Sequence, residues 1–295
     1  MAIIKYRKIF FVFSGLLVLA SIVCLILWQL NFGIDFKGGS LSEIEWLSEK
    51  PSNSKVQDIL ASFNLGNITI QSTGEKGMIL RLRDINEDIH QEILNKLKNE
   101  FGELEEKRFE SIGPAIGAEL KKRAFWSISL ALVAILVFVA WAFRKVSFPV
   151  KSYRYGIIAV VALFHDVLIT IGVFSVLGRF SGVEVGVPFV AALLTILGYS
   201  VNDTIVVFDR VRENLLSFKT KNEDFSEIVG YSLKQTISRS VNTSLTTLLV
   251  LFAIFLFGGA TIKFFALALI IGIALGTYSS IFIASPLLVA WERRK

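Results

Sequence analysis

A carboxylate, Asp203, lies inside the apolar run Leu197-Gly198-Tyr199-Ser200-Val201-Asn202-Asp203-Thr204-Ile205-Val206-Val207-Phe208. At membrane depth such a group costs about 2.5–3.5 kcal/mol on insertion scales, so it persists where it faces a partner, a cavity or an ion path. A second acid, Asp166, follows His165 in another apolar run. A base opens a third run, Ser238-Arg239-Ser240-Val241-Asn242-Thr243-Ser244, which continues to Thr246-Thr247. Spacings of three, four and seven put Arg239, Asn242, Thr243 and Thr246 on one helix face. At 1.5 Å per residue Asp203 lies about 8 Å from the basic end of its run and Asp166 about 15 Å from its own, so Asp203 and Arg239 come to similar depth. Two chemistries fit that pair. In a proton relay, burial and a nearby guanidinium act on the carboxylate in opposite senses, so a small movement of either group changes its protonation. In a static ion pair the same two groups hold two helices together. The residues alone leave these readings even, with Asn202, Thr204, Asn242 and Thr243 as supporting polar groups. Asp166 reads equally as a hydrogen bond into the bundle or as a proton step.

Membrane helices must position these groups. The 295 residues are 53% hydrophobic with mean hydropathy +0.61, and six apolar runs reach the ~20 residues needed to cross a bilayer core, at about 9–30, 124–143, 155–178, 187–208, 241–258 and 263–290. Basic residues cluster before the first run, after the second and fourth, and at the end of the chain (Arg293, Arg294, Lys295). The short loops on the other side hold only Arg179 and Lys263, so the positive-inside rule puts both termini in the cytoplasm. That placement accounts for the net charge of +6 without a nucleic-acid partner. The first run lacks a small-x-small cleavage site and reads as an uncleaved anchor. Cys24, the single cysteine, permits no intrachain disulfide.

The polar stretch at 31–122 falls outside the cytoplasm on this topology. Alternation over Ser40–Leu47, an amphipathic stretch through Val56, Ile59, Leu60 and Phe63, strands near 67–73 and 78–84, a second helix through Ile89, Ile93, Leu94 and Leu97, and a strand near 104–111 give the order β-α-β-β-α-β. This is the split βαβ, ferredoxin-like order, a two-layer sandwich with one open sheet face. His90, among Glu87, Asp88 and Glu92, reads as part of a solvated helix face rather than a metal ligand. The fold class is therefore a polytopic α-helical membrane protein with six transmembrane helices and a small α+β ferredoxin-like extracytoplasmic domain between helices 1 and 2. Its expected organisation is a cytoplasmic N-terminus and first helix over 1–30, the outer domain over 31–122, and a five-helix bundle over 123–295 with a cytoplasmic loop near 209–240. From residue 223, Phe225, Ile228, Val229 and Leu233 suggest an amphipathic helix, either at the membrane surface or packed on the bundle's base. Ala268, Gly272, Gly276, Ser280 and Ala284 form a ridge of small residues that lets another helix approach, inside the bundle or from a second subunit.

Motifs along the whole chain resemble the SecD/SecF family, within the resistance-nodulation-division superfamily, and in particular its smaller, SecF half. They are Gly33-Ile34-Asp35-Phe36-Lys37-Gly38-Gly39, Gly113-Pro114-Ala115-Ile116-Gly117, His165-Asp166-Val167, Ser200 to Arg210, Ser238 to Ser244, and Gly276-Thr277-Tyr278-Ser279-Ser280-Ile281. The resemblance implies a multi-pass protein of the bacterial inner membrane, a SecD partner with six more spans, and association with the SecYEG translocon and with YajC or YidC. It also implies capture of a translocating, unfolded polypeptide driven by the proton motive force, with Asp203 and Arg239 in proton transport and a further carboxylate in SecD. The junction glycines Gly33, Gly38 and Gly39 would transmit motion or answer a steric need, and the two readings weigh equally.

Two other functions remain open to test: an assembly scaffold in which Asp203 and Arg239 are a structural pair, and half of a small-molecule or lipid exporter of the same superfamily. Against the exporter, the outer domain is a single small module. No nucleophile–base pair, phosphate loop or metal-ligand cluster occurs, so neither an enzyme nor a cofactor or metal site is expected.

Overall fold

The computed structural model describes residues 2–63, 65–66, 68–144, 151–217 and 224–292. In chain order its elements are α1 (Ala2–Lys5), α2 (Arg7–Trp28), α3 (Ile34–Lys37), β1 (Gly39–Trp46), α4 (Asn53–Leu60) with a 3₁₀ turn (Ala61–Phe63), β2 (Thr69–Thr73), β3 (Gly77–Leu82), α5 (Glu87–Phe101) and β4 (Leu104–Ile112). There follow α6 (Pro114–Ala142), α7 (Ser152–Ser181), α8 (Val187–Ser217), α9 (Phe225–Phe257), α10 (Ala260–Ser279), a π-helical turn (Ser280–Ala284) and α11 (Ser285–Glu292). Two units result: Phe32–Phe125, and Met1–Asn31 with Trp126–Lys295.

In the smaller unit the four strands form one antiparallel sheet in the order β2-β3-β1-β4. Alternation drives Ile44 and Trp46 of β1 and Met78, Leu80 and Leu82 of β3 onto one sheet face, where Val56, Leu60, Ile93 and Leu97 of α4 and α5 cover them. Asn86 caps α5, accepting the Ile89 N–H at 3.2 Å, and Gly102 ends it at φ +93°. The expected order of elements is present, with one addition. The Gly33–Gly39 motif holds a one-turn helix, α3, between its glycines. Gly38 (φ +78°) and Gly39 (φ +129°) sit where L-residues are strained, and a Cβ on Gly38 would stand 2.8 Å from the Pro114 Cα.

His90 departs from expectation. It is buried rather than solvated: its ring stacks on Phe109 with centroids 3.6 Å apart, and its Nε2 lies 2.7 Å from Glu106 Oε1. Glu106 in turn accepts from Ser42 at 2.8 Å. The polar neighbours of His90 in sequence suggested water, whereas β4 supplies an aromatic lid and a carboxylate from a distant part of the chain.

Among the described residues, six helices are long and apolar enough to cross a membrane. Most exceed the apolar runs because charged turns extend them without breaking periodicity: α6 begins at Pro114 and α8 continues to Ser217. Consequently the segment near 209–240, expected as a loop, is helical over 209–217 and 225–240. The amphipathic stretch from 225 is the first part of α9 itself, not a separate surface helix. Phe225, Ile228, Val229 and Leu233 are buried there, and Asn214 of α8 donates to Ser232 at 2.8 Å and Gln235 at 2.9 Å.

The small-residue ridge packs inside the bundle. A Cβ on Gly272 would strike Ile196, and one on Gly276 would stand 2.8 Å from the Ser200 Cβ. Gly172 of α7 receives Ser21 of α2 just as tightly, and Ser175 of α7 donates to the Gln29 carbonyl at 2.6 Å. Glycine at these contacts brings backbones together where lipid supplies no hydrophobic drive for association.

Candidate functional site

Asp203 faces inward from α8 and is 9% exposed. Val201, Thr204, Val207 and Phe208 of the same helix are buried, which fixes the α8 face that meets α10. Thr204 Oγ1 lies 2.9 Å from Ser280 Oγ at the start of the π turn. That turn inserts one extra residue in the helix and carries a Ser285-to-Ser280 hydrogen bond of 2.9 Å. It holds the Ser280 hydroxyl against Thr204, next to Asp203 in sequence, and Ser240 of α9 lines the same cleft as Asp203. Asp203 Oδ2 nevertheless makes no hydrogen bond among the described residues, nor does the Ser240 hydroxyl.

Asp203 and Arg239 line one narrow cleft of about 60 Å³, with Tyr199, Asn202, Val206, Ser240, Thr243 and Ser244. No ion pair joins them within 4 Å among the described residues. Arg239 and Val206 also line an adjoining cleft of about 190 Å³, whose other walls include Asp209, Arg210, Glu213, Gln235 and Thr236. The guanidinium thus borders both the pocket of the buried acid and a charged vestibule. A carboxylate with an unfilled acceptor position, in a cleft large enough for a water, can exchange a proton with a neighbour that moves.

Of the other expected residues, Asn202 and Thr243 line the cleft, Thr204 is buried beside it, and Asn242 is exposed. The face of α9 bearing Arg239, Asn242, Thr243 and Thr246 is open in this chain. Asp166 lies elsewhere. It is fully buried and accepts from Ser200 at 2.6 Å, Ser279 at 2.8 Å and His165 Nδ1 at 2.9 Å. The residues that sequence reasoning did not assign to the site are hydroxyls: Ser240, Ser279 and Ser280, the last expected only as part of the small-residue ridge, and Tyr199, which reaches Thr247 at 3.3 Å. The Tyr278-Ser279-Ser280 run marked two of them, but their direction depends on the π turn, which no residue spacing announces.

Among known proteins, the family model described as "Protein export membrane protein SecD/SecF, C-terminal" matches residues 92–294. The "Protein translocase subunit SecF" of Thermobaculum terrenum is 45% identical over 99% of this chain and 94% of its own length. That of Anaerolinea thermophila is 38% identical over 98% and 94%. Among solved structures, SecDF from Thermus thermophilus, described as a translocon-associated membrane protein, superposes with TM-score 0.83 at 32% identity. It covers all of this chain, which spans only 39% of that longer protein. These likenesses extend through α8 and α9, the helices that carry Asp203 and Arg239, and by them the chain belongs to the SecD/SecF family of protein export membrane proteins.

Proposed function

We propose that this chain is the SecF-type half of an accessory complex of the Sec translocase, coupling the proton motive force to export of polypeptides together with SecD. The observation that carries the reading is the pairing of Asp203, buried with one oxygen unsatisfied, with an exposed Arg239 on the same cleft. One proton crossing 100 mV releases about 2.3 kcal/mol. That energy biases a conformational equilibrium only if protonation changes a contact, and Asp203 and Arg239, which share a cleft without an ion pair, are placed to gain such a contact when either moves. Asn202, Thr204, Asn242, Thr243 and Asp166 support the site as polar neighbours.

The open polar face of α9 argues for a partner, since Arg239, Asn242, Thr243 and Thr246 are costly against lipid. In this reading SecD covers that face, and SecYEG with YajC or YidC completes the assembly. The protein sits in the bacterial inner membrane with both termini cytoplasmic. On the far side the smaller unit is a ferredoxin-like module, as the sheet order β2-β3-β1-β4 supports. Gly33, Gly38 and Gly39 are the motif glycines at its start.

The test is export driven by a proton gradient in membranes carrying the SecD complex. Asp203→Asn and Arg239→Met are expected to leave assembly intact and abolish stimulation by the gradient. Normal gradient-dependent export in Asp203→Asn membranes would sink the reading.

A further inference from the structure

A second buried acid lies outside the Asp203 cleft. Asp166 is 0% exposed and receives three hydrogen bonds, from Ser200 and Ser279 at Oδ2 and from His165 Nδ1 at Oδ1. With Asp166 ionised its oxygens only accept, and that state puts the His165 proton on Nδ1. Its other nitrogen, Nε2, is buried and has no hydrogen-bond partner among the described residues, in a side chain 5% exposed overall. An imidazole held in one tautomer by a carboxylate, with the opposite nitrogen bare, is a proton acceptor whose positive form is already matched by charge. With Nε2 bare the pair carries one negative charge inside the bundle. One proton on Nε2 neutralises it.

The connection to Asp203 runs through the π turn. Ser279 and Ser280 are adjacent and fully buried, and both hydroxyls also bond to the Gly276 carbonyl, at 3.1 and 2.8 Å. Ser279 donates to Asp166, while Ser280 meets Thr204, the residue after Asp203 on α8. Ser200, which donates to Asp166, sits one helical turn before Asp203 on α8. The titratable neighbours of His165 are Asp166 on its own helix and Tyr278 from α10, whose ring stacks over the imidazole at 6.2 Å. From α2, Ser14 bonds to the Tyr278 hydroxyl at 3.1 Å, and the basic Arg7 and Lys8 of that helix line a separate cleft with Glu227. Among the described residues α11 bears its charge, Glu292, at its last position.

We propose that His165 and Asp166 form a second proton-binding site of the bundle, holding its proton on His165 Nε2 and communicating its occupancy to Asp203 through Ser200, Ser279 and Ser280. The proposal deepens the proton-coupled reading above and rests on it for its role, though not for its chemistry. Asp203 alone offers the gradient one intrachain stop. Two acids joined by a serine pair offer two states that exclude or reinforce each other.

His90 and His165 are the chain's two histidines, so His90→Gln leaves one imidazole to observe. With ¹⁵N-histidine in the full chain, bound to SecD in bilayers, NMR at high pH is expected to show Nδ1 protonated and Nε2 bare. Lowering the pH should place a proton on Nε2. Asp166→Asn should move the midpoint of that change by about one pH unit or more, and Asp203→Asn and Ser279→Ala should move it measurably. Ser279→Ala and Asp166→Glu serve if Asp166→Asn fails to assemble. A ring whose Nε2 stays bare over about pH 4–10 overturns the site, as does a midpoint that follows sodium concentration at fixed pH. A midpoint unmoved by Asp203→Asn and Ser279→Ala overturns the link. Export measured in the same membranes separates the two claims. A titrating His165 with normal gradient-driven export in Asp203→Asn removes the proposed function alone, and a silent His165 with lost export removes this site alone.

Discussion

Gly276 of α10 meets Ser200 of α8 so closely that a Cβ on the glycine would lie 2.8 Å from the serine's own Cβ. This approach lets Ser200 and Ser279 reach the same oxygen of Asp166 and brings Thr204 within 2.9 Å of Ser280.

Gly276→Val is therefore expected to separate α10 from α8. Overpacking at such a contact costs about 1–3 kcal/mol. Thermal unfolding in detergent should report the loss. Export should fall with it because Asp166 can no longer hold Ser200 and Ser279 together and Thr204 is drawn from Ser280, and an unchanged melting temperature would contradict the packing argument.

The charge swap Asp203→Arg with Arg239→Asp is expected to leave gradient-stimulated export at background. Position 203 is buried and position 239 is exposed, so the swap buries a guanidinium without a matched partner, a change that costs about 3–5 kcal/mol when a buried charge loses its counter-ion. Partial rescue in an export assay would favour a static pair instead.

His90→Ala should loosen the smaller unit, since it removes the stack on Phe109 and leaves Glu106 with Ser42 as its donor. A loss of about 1–3 kcal/mol follows from the unmade buried hydrogen bond. Hydrogen exchange in the full chain should locate it in β4 and the facing turns of α5. Glu87, at the first turn of α5, is held below its ordinary 4.5 by hydrogen bonds from Gln91 and then His90. Its contribution is thus present at neutral pH and lost as pH falls through that lowered value.

Gly38→Ala is expected to cost about 1–3 kcal/mol, because it forces a Cβ at φ +78° against the Pro114 backbone. Protease resistance of residues 32–125 in the intact protein is the readout. Wild-type resistance would show that the glycine answers a need for motion and not for space.

Asp203 and Arg239 were visible in the sequence because charge inside an apolar run has few explanations. Their face-sharing neighbours followed from helical spacing, and the strand order of the smaller unit followed from alternation and turns. His90 was misjudged for the same reason that these succeeded: local pattern reports what lies beside a residue in the chain. Phe109 and Glu106 reach it through sheet pairing, across sixteen or more positions. The long reach of α8 and α9 into charged sequence was hidden too, since polarity marks solvent or a partner helix equally well.

By itself, then, the sequence determined the number of membrane-capable helices, the arrangement of elements between the first two, and the presence of a carboxylate and a guanidinium at similar depth on two of the helices. Only tertiary structure decided that Arg239 stands on the rim of the Asp203 cleft without pairing to it, that the glycine ridge faces α8, and that Ser279 turns to Asp166 while Ser280, at the π turn, meets Thr204. The physical reason is that hydropathy and periodicity are properties of one helix in a solvent, whereas a hydrogen-bond direction inside a bundle is set by how closely two backbones approach.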